Sequence, residues 1–365
     1  MSENEKKKKT NPFLKVLKVI VIVLLVLIVL IAGLVVFLSV TEYRPAEKEE
    51  IKIEGTASEK IPTGKSVKVL TWNVGYCALG EDTDFFMDGG KMVNTSSKEQ
   101  VESNLDAVIS FIKSEKPSII LLQEVDVNSD RSHHINETES IRDAFDGYSS
   151  TFAYNFKVAY LPYPIPPMGK IGSGVLTLSA YKIDSSERIQ LPIPFKWPVS
   201  MLNLKRCLDI NRMPVGGSDK ELVLIDLHLE AYDDGEGKIL QTAALKEILD
   251  VEYEKGNYVI AGGDFNQIFS SEDTGKFKAL EGKWAPGIID VSVFKDGWQF
   301  LMDERIPTCR SLDQPLKGAD LSNFQYYLID GFIVSDNVTV SELETKDLGF
   351  VNSDHNPVVM EIILK

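Results

Sequence analysis

The stretch "ELVLIDLHL", residues 221–229, is apolar almost without alternation. Such a run is typical of a strand that is buried on both faces of a sheet. A helical pattern begins near Lys238 and stops at Gly256, and a second apolar run, "NYVIAGGDF", follows directly at residues 257–265. A buried strand, a helix and another buried strand in this order predict layered α/β packing, with helices covering sheets.

Similar runs recur on both sides of this unit. A second helix is predicted from Ser97 to a point before Pro117, because apolar residues repeat there with helical spacing and form one stripe. That stripe consists of Val101, Leu105, Val108, Ile109 and Ile112. Further strands are predicted at residues 67–73, 118–125, 173–179, 327–335 and 357–364. We therefore predict one large α/β domain over residues 67–365.

The N-terminal part of the chain has a different character. Residues 19–38 contain no charged or hydrogen-bonding side chain, and a helix of about 20 residues matches a hydrocarbon core of roughly 30 Å. A cleaved signal peptide is the alternative, but its apolar region is about 7–15 residues long and precedes a small-residue cleavage site, which is not evident here. We predict a basic tail at 1–12, a transmembrane helix at 13–39 and a polar linker at 40–66.

Charge predicts how this helix is oriented. Lys6 to Lys9, Lys15 and Lys18 all precede the apolar run, so the N-terminus is expected in the cytoplasm and the domain outside the cell membrane. The first 40 residues hold six lysines and two glutamates and carry a charge of +4. Because the net charge of the whole chain is −15, the rest of the chain carries −19. So acidic a domain argues against a dedicated nucleic-acid binder, unless a bound cation changes the local sign.

Cysteine usage indicates no stapled scaffold. Cys77, Cys207 and Cys309 are three well-separated residues without a C-x-x-C pair. One disulfide remains open on this count, but a dense disulfide framework is not expected.

Polar residues stand at the ends of the predicted strands. Burying such groups costs several kcal/mol each unless they are paired. Each has an ordinary structural explanation by itself, as a turn residue, a cap, a strand-end salt bridge or a hydrogen-bonded histidine. Repetition at six strand ends instead predicts one convergent site. Its members are Asn73, Glu124, His228, Asp264, Asn266, Asp330, Asp354 and His355.

Six motifs in this order resemble the endonuclease/exonuclease/phosphatase superfamily of metal-dependent phosphohydrolases. The motifs are "TWNVG" (71–75), "LLQEV" (121–125), "DLHL" (226–229), "GGDFNQ" (262–267), "LIDGFIV" (328–334) and "SDHNPVV" (353–359). The superfamily includes deoxyribonuclease I-like nucleases, abasic-site endonucleases, neutral sphingomyelinases and inositol polyphosphate 5-phosphatases. The resemblance spans about residues 67–364 and implies a four-layer α/β sandwich with two central mixed β-sheets.

The resemblance also implies roles for the polar residues. Glu124, with Asn73 beside it, is expected to bind Mg²⁺ (or Mn²⁺), and Asp354 is expected on the metal side. Asp264 and Asn266, two residues apart on a tight turn, are expected to orient and deprotonate the attacking water.

Two histidines complete the expected chemistry. His228 would donate a hydrogen bond to a phosphoryl oxygen or protonate the leaving group. His355 would act with its ring set by a partner on the other nitrogen. The resemblance gives that task to Asp330, and the sequence leaves Asp354 as an alternative.

The substrate is less well defined by the sequence. Arg131 and His134 follow the Glu124 strand and are candidates for contacting a phosphate or head group; the alternative is a solvated loop leading into a helix near Asn136. Residues 154–168 and 192–201 are rich in aromatic residues and proline. They would form hydrophobic loops at a membrane surface or cover the edge of the sandwich.

Together these patterns predict a membrane-anchored, metal-dependent phosphodiesterase. Its substrate would be a lipid head group or extracellular nucleic acid, as in a sphingomyelinase-like phospholipase C or an extracellular nuclease. The membrane is reached through the N-terminal helix, and we infer no protein partner. A non-catalytic binding module would be expected to lack part of the catalytic set, whereas Glu124, His228, Asp264 and His355 are all present. The convergent polar set also argues against a membrane scaffold whose acidic face recruits partners.

Overall fold

A computed structural model describes residues 11–233, 235–273, 277 and 280–365. The chain divides into two compact units, Met1–Glu42 and Tyr43–Lys365. The first unit contains helix α1 (Pro12–Thr41), capped by the Asn11 side chain, which accepts a hydrogen bond from the Phe13 amide. Helix α1 is long and apolar enough to cross a membrane, a property that signal sequences share. The predicted basic tail lies outside the described residues up to residue 10.

The second unit is built around two mixed β-sheets. The seven-stranded sheet has the order β18 (Val338–Thr345), β19 (Val358–Leu364), β4 (Val67–Asn73), β5 (Ile119–Asp126), β7 (Gly169–Ser179), β6 (Ser149–Leu161) and β2 (Glu54–Gly55). The eight-stranded sheet has the order β1 (Lys48–Glu50), β8 (Ser185–Gln190), β9 (Cys207–Gly216), β10 (Glu221–His228), β11 (Tyr258–Asp264), β17 (Asp330–Ser335) and β14 (Trp298–Leu301), and β3 (Ile61–Pro62) pairs with β9.

The remaining strands of the described residues form two small sheets. They pair β12 (Gln267–Phe269) with β13 (Gly287–Ile289), and β15 (Cys309–Arg310) with β16 (Tyr326–Tyr327). Each of the seven predicted strands overlaps an observed strand.

Helices cover the outer faces of the two large sheets. Helices α2 (Lys98–Glu115) and α3 (Glu137–Ala144) pack on the seven-stranded sheet, and α4 (Glu236–Glu254) packs on the eight-stranded sheet. Alternate residues of the central strands therefore face a helix or the opposite sheet: Leu70 contacts the helical layer, whereas Val69 lies between the sheets. Burial of both faces explains the apolar runs. The predicted four-layer α/β sandwich is confirmed.

Two β-α-β units lie at the centre of the sandwich. Strands β4 and β5 are parallel and joined through α2, and β10 and β11 are parallel and joined through α4. In a parallel pair the carboxyl ends of both strands lie at the same edge. The two such edges come together, since the Asn73 amide at the end of β4 contacts Asp264 at the end of β11.

The segment predicted as a linker, residues 40–66, contributes three short strands to the sheets. β1 pairs with β8, β2 with β6 and β3 with β9. The segment is polar, but Ile51 and Ile61 within it are buried, and its backbone hydrogen bonds close sheet edges. Backbone pairing of this kind leaves no apolar periodicity in the sequence, which is why a linker was expected. Cys77, Cys207 and Cys309 are buried and free.

A polar layer lies between the two sheets. Asp226 is fully buried and accepts hydrogen bonds from Gln123 Nε2 (2.7 Å) and Thr177 Oγ1 (3.4 Å). Asp209, opposite Asp226 in the register of β9 and β10, accepts from Thr151 Oγ1 (2.7 Å). Burial raises the pKa of both carboxyl groups, and that of Asp226 stands well above its usual value. We therefore expect Asp226 to hold its proton in the folded protein at neutral pH.

This layer predicts a pH-dependent stability. Because the folded pKa of Asp226 exceeds the unfolded value of about 3.9, the free energy of unfolding falls as pH rises from about 4 towards the folded pKa. Asp226→Asn removes this loss while keeping an acceptor for Gln123. We expect the variant to be more stable than the wild type by about 1 kcal/mol or more at pH 8, with a smaller difference at pH 4, in urea unfolding of the full chain in detergent.

The control is Asp219→Asn, because the Asp219 side chain is 89% exposed. It should leave the free energy of unfolding within about 0.5 kcal/mol of the wild type at both pH values. If Asp226→Asn destabilised the protein equally at pH 4 and pH 8, a protonated Asp226 would be excluded.

Candidate active site

Three adjacent strands of the eight-stranded sheet each place one polar residue at the same level. His228 is the register partner of Asp264, and Asp264 is the register partner of Asp330. From the other sheet, Asn73 Nδ2 donates a 3.0 Å hydrogen bond to Asp264 Oδ2. His228 Nε2 lies 3.4 Å from the same carboxylate oxygen. Polar groups of the two sheets therefore meet at Asp264.

Glu124 reaches the site because β5 is irregular. The register between β5 and β7 shifts between Leu122 and Val125, and Glu124 has a φ of +54°. Leu122 belongs to the apolar cluster under helix α2, and regular alternation would place Glu124 on that same outer face. The bulge instead places Glu124 Oε1 3.3 Å from Asn73 Nδ2 and 4.0 Å from His228 Nδ1. A strained residue of this kind is typical of functional sites.

The His355 ring is oriented by Asp330. His355 Nδ1 lies 2.9 Å from Asp330 Oδ2, whereas Asp354 Oδ2 lies 3.9 Å from the other ring nitrogen, Nε2. Nε2 also lies 3.8 Å from Asp264. Of the two partners that the sequence left open, the geometry therefore places Asp330 at Nδ1. Asp354 is on the opposite side of the ring.

The electrostatic surroundings shift the pKa values of the two histidines in opposite directions. Burial is the largest single influence on the His355 pKa and lowers it, but Asp330, Cys309 and Asp354 together raise it by more, so that the pKa stands well above its usual value. Burial lowers the pKa of His228 well below its usual value, and Arg206 lowers it further. Burial, aided by Asp330, raises the pKa of Asp264 to about 7. The surroundings thus favour the protonated form of His355 and the neutral form of His228, and they bring the pKa of Asp264 to about 7.

Two side-chain hydroxyl groups form hydrogen bonds with the backbone around the site and hold these residues in place. Ser353 Oγ donates to Asn73 O (2.8 Å) and accepts from the His355 amide (3.2 Å), which ties the His355 loop to β4. Thr308 Oγ1 accepts from the amide of Asp330 (3.1 Å). We did not predict these two hydroxyl groups as site residues. Ser353 could have been found, because it begins the "SDHNP" motif, but nothing in the sequence marks Thr308.

Asn266 lies in the turn that follows β11. Its φ is +50°, its amide donates to Asp264 Oδ1 (2.9 Å), and its Nδ2 donates to Leu229 O (3.0 Å). Its Nδ2 group is therefore engaged with the backbone after β10. Asn266 lies beside Asp264 in the floor of the cavity described below.

The residues present fit a hard divalent cation. Asp354 Oδ1 and Asp330 Oδ1 are buried carboxylate oxygens without a hydrogen-bond partner among the described residues. A Cβ at position 75 would lie 2.8 Å from Asp354 Oδ1, so a residue larger than Gly75 would collide with that oxygen. Unsatisfied buried carboxylate oxygens are costly, and oxygen ligands are those that Mg²⁺ prefers. The nearby Cys309 thiol is unsuited to such an ion, since burial raises its pKa to about 12.

Arg131 and His134 occupy different surroundings. Arg131 lines the cavity, but it is buried: its Nε and Nη2 donate to Asp126 (3.1 and 2.9 Å), and its guanidinium lies 3.6 Å from the centre of the Tyr76 ring. The side chain of His134 is 57% exposed and contacts Asn128 and Asp130. Among the described residues that line the cavity, His134 is not found. The structure therefore gives no support to a substrate contact by His134, whose ring nitrogens contact Asn128 and Asp130.

A cavity of about 470 Å³ opens above the polar residues. Its floor includes Glu124, His228, Asp264, Asn266, Asp354 and His355. The two segments rich in aromatic residues and proline contribute part of its walls, including Phe156, Leu161, Tyr163, Met168, Phe195 and Val199. The sequence singled out these segments but left their role open between a membrane surface and an edge cover. The remaining wall residues, among them Phe85, Phe86, Tyr232 and Trp284, were not predicted.

The surroundings of Arg131 predict a structural effect. Arg131→Gln leaves the Asp126 carboxylate buried without its charged partner, so the free energy of unfolding should fall by about 3–5 kcal/mol. His134→Ala should change it by less than about 0.5 kcal/mol, because the imidazole is exposed. Urea unfolding of the full chain in detergent measures both. Equal effects of the two substitutions would contradict the buried ion pair.

The chain matches known proteins in both sequence pattern and structure. Residues 70–355 match the model of the Endonuclease/Exonuclease/phosphatase family. None of the curated protein sequences compared with the chain matches it.

Three solved structures illustrate the similarity of fold. An endonuclease/exonuclease/phosphatase from Beutenbergia cavernae has a TM-score of 0.55 and 16% identity, covering 82% of this chain and 72% of that chain. A functionally unknown conserved protein from Enterococcus faecalis has a TM-score of 0.52 and 16% identity, covering 82% and 100%. The human nocturnin catalytic domain, solved with bound sulfate, has a TM-score of 0.51 and 16% identity, covering 86% and 98%.

At this level of identity the solved structures show the fold, and the family model covers more than half of the chain and every motif residue from Asn73 to His355. The chain therefore belongs to the Endonuclease/Exonuclease/phosphatase family and is a hydrolase that acts on phosphate ester bonds.

Proposed function

We propose that the chain is a membrane-anchored phosphodiesterase that depends on a divalent cation, Mg²⁺ (or Mn²⁺), and has its catalytic body outside the membrane. The observation that carries this proposal is the convergence of the buried pair His355–Asp330 with His228, Asp264 and Glu124 at the floor of one cavity. Two histidines with opposite pKa shifts beside carboxylates suit the transfer of protons and the binding of a phosphoryl group.

Glu124, Asp354 and Asn73 are the residues that would hold the cation. When bound, the cation would neutralise charge on the phosphoryl oxygens and help the leaving oxygen to depart. Asn73 also holds the two carboxylates together, because its side-chain Nδ2 donates to Asp264 (3.0 Å) and to Glu124 (3.3 Å). The carboxylates therefore stay fixed in relation to each other before a substrate binds.

Asp264 is the group that accepts the proton of the attacking water. Burial raises its pKa to about 7, and a base of this strength accepts a proton most effectively near neutral pH. Asn266 fixes the orientation of the Asp264 carboxylate, because the Asn266 backbone amide donates to Oδ1. The other oxygen, Oδ2, then faces His228 and His355. The water must attack in line with the leaving oxygen, and a fixed base favours that geometry.

The two histidines bind the phosphoryl oxygens in different ways. His355 is protonated and held through Nδ1 by Asp330, so its Nε2–H donates a charge-assisted hydrogen bond. His228 is neutral and donates an ordinary hydrogen bond. Its low pKa favours this hydrogen-bonding role over protonation of the leaving group. Both donors are in place before the reaction, which is the arrangement that stabilises developing charge most strongly.

Helix α1 supports the membrane part of the proposal. The helix is long and apolar enough to span a bilayer, and the six lysines at its N-terminal side favour a cytoplasmic N-terminus. The hydrolase body, Tyr43–Lys365, would then act on substrates outside the cell membrane.

Removal of either member of the His355–Asp330 pair should reduce catalysis. We expect His355→Ala to lower kcat for bis(p-nitrophenyl) phosphate by about 10²–10⁴-fold, through loss of a charged donor. Asp330→Asn should cause a similar loss, because the ring loses the group that sets its orientation and charge. The full chain in detergent is the enzyme, and initial rates of p-nitrophenol release are measured.

His134→Ala is the matched control, since it removes an imidazole that lies away from the cavity. Its kcat should equal that of the wild type within a factor of two. If His355→Ala and His134→Ala had the same kcat, the role proposed for His355 would be wrong.

Chelation should abolish the activity. We expect EDTA to reduce hydrolysis to the uncatalysed rate and Mg²⁺ to restore it. Glu124→Gln should raise the Mg²⁺ concentration for half-maximal rate by about 10-fold or more, since an amide is a weaker ligand than a carboxylate. Glu102→Gln, on the exposed face of α2, should leave that concentration unchanged. Activity that persists in EDTA would exclude metal dependence.

A further inference from the structure

The cavity above the catalytic floor is lined mainly by hydrocarbon. We call its upper part the apolar chamber, defined by lining residues from three segments: Phe85 to Met87, Leu161 to Met168, and Phe195 to Leu204. The first two segments touch each other, since the rings of Phe86 and Tyr163 pack edge to face with centres 5.8 Å apart. A phosphate bound at the floor would therefore carry its ester group into apolar surroundings.

The chamber offers no free positive charge to a polyanion. No lysine occurs among the described residues that line it. Three arginines line the cavity outside the chamber, and all are buried and engaged within the protein: Arg131 with Asp126, Arg206 with His228 O and Glu230, and Arg310 with the carbonyls of Leu79, Gly80 and Thr83. Proteins that bind nucleic acid neutralise several phosphates with lysine and arginine. The chamber lacks this property.

Large apolar side chains are exposed around the mouth of the chamber. Tyr163 is 66% exposed, Val199 is 54% exposed and Met87 is 51% exposed, although all three also line the cavity. Ile165 and Trp197, close by in the chain, are 94% and 66% exposed. Exposed apolar residues grouped around a binding site mark a surface that meets a membrane or an apolar ligand. Tyrosine and tryptophan are also the residues that favour the membrane interface.

We propose that the substrate is a membrane lipid with a phosphodiester head group, whose hydrocarbon part occupies the apolar chamber while the phosphate lies at the catalytic floor. This inference rests on the proposed function, because it names the substrate class of the same site. The exposed rim would enter the bilayer surface and allow a lipid to pass into the chamber without exposure to water. Hydrolysis adds OH from water to phosphorus and the remaining proton to the leaving oxygen.

The length of the hydrocarbon group provides the test. Methyl, butyl and octyl esters of p-nitrophenyl phosphate share one phosphodiester and one leaving group, and all three dissolve as monomers. Each methylene group buried in the chamber should raise kcat/KM about threefold until the space is filled. We therefore expect at least a 100-fold rise from the methyl to the octyl ester, measured with the full chain in nanodiscs at saturating Mg²⁺.

A pair of matched valine variants locates the effect. Val199→Lys places a charge at the rim and should reduce the ratio of kcat/KM for octyl to methyl ester at least 10-fold. Val251→Lys, on the outer face of α4, places the same charge at an exposed valine away from the chamber. It should leave that ratio as in the wild type.

The outcomes separate this inference from the proposed function. Hydrolysis of the methyl ester without a rise along the series would overturn the lipid substrate and leave the phosphodiesterase intact. Equal ratios for Val199→Lys and Val251→Lys, or faster cleavage of single-stranded DNA than of the octyl ester, would do the same. Failure to hydrolyse any diester would overturn the proposed function and this inference together.

Discussion

The hydrogen bond from Asn73 to Asp264 joins the two halves of the sandwich at the point where the chemistry is placed. One residue ends a strand of the first sheet and the other ends a strand of the second, so the bond forms only when both β-α-β units have the correct register. A slip of one residue in either strand would turn the polar group towards a helix. The position of the site therefore depends on the register of the fold.

Much of the fold and part of the site could be predicted because burial leaves a direct pattern in the sequence. A strand covered on both faces is apolar throughout, so "ELVLIDLHL" and "NYVIAGGDF" identified β10 and β11. Polar groups are expensive at such positions, and those at the strand ends include His228 and His355, each of which lies within 4 Å of Asp264 Oδ2. The order of the six motifs along the chain indicated the family.

The remaining features depend on contacts that no local pattern records. Glu124 and Asp126 share one face only in a regular strand, and the bulge after Leu122 separates them: Glu124 enters the site, whereas Asp126 pairs with Arg131. The chamber arises where three loops, distant in sequence, meet. Residues 40–66 look like a linker because edge strands this short are stabilised by backbone hydrogen bonds rather than by apolar side chains.

The pairing of residues 40–66 with later strands affects the order in which the α/β domain folds. Glu54 pairs with Ser150, Lys48 with Ile189 and Ile61 with Val215, so each pairing closes a loop of roughly 100–150 residues. The segment leaves the ribosome before any of its partners exists. It must therefore remain unpaired while β6, β8 and β9 are synthesised, and both sheet edges remain open to pairing with other chains during that interval.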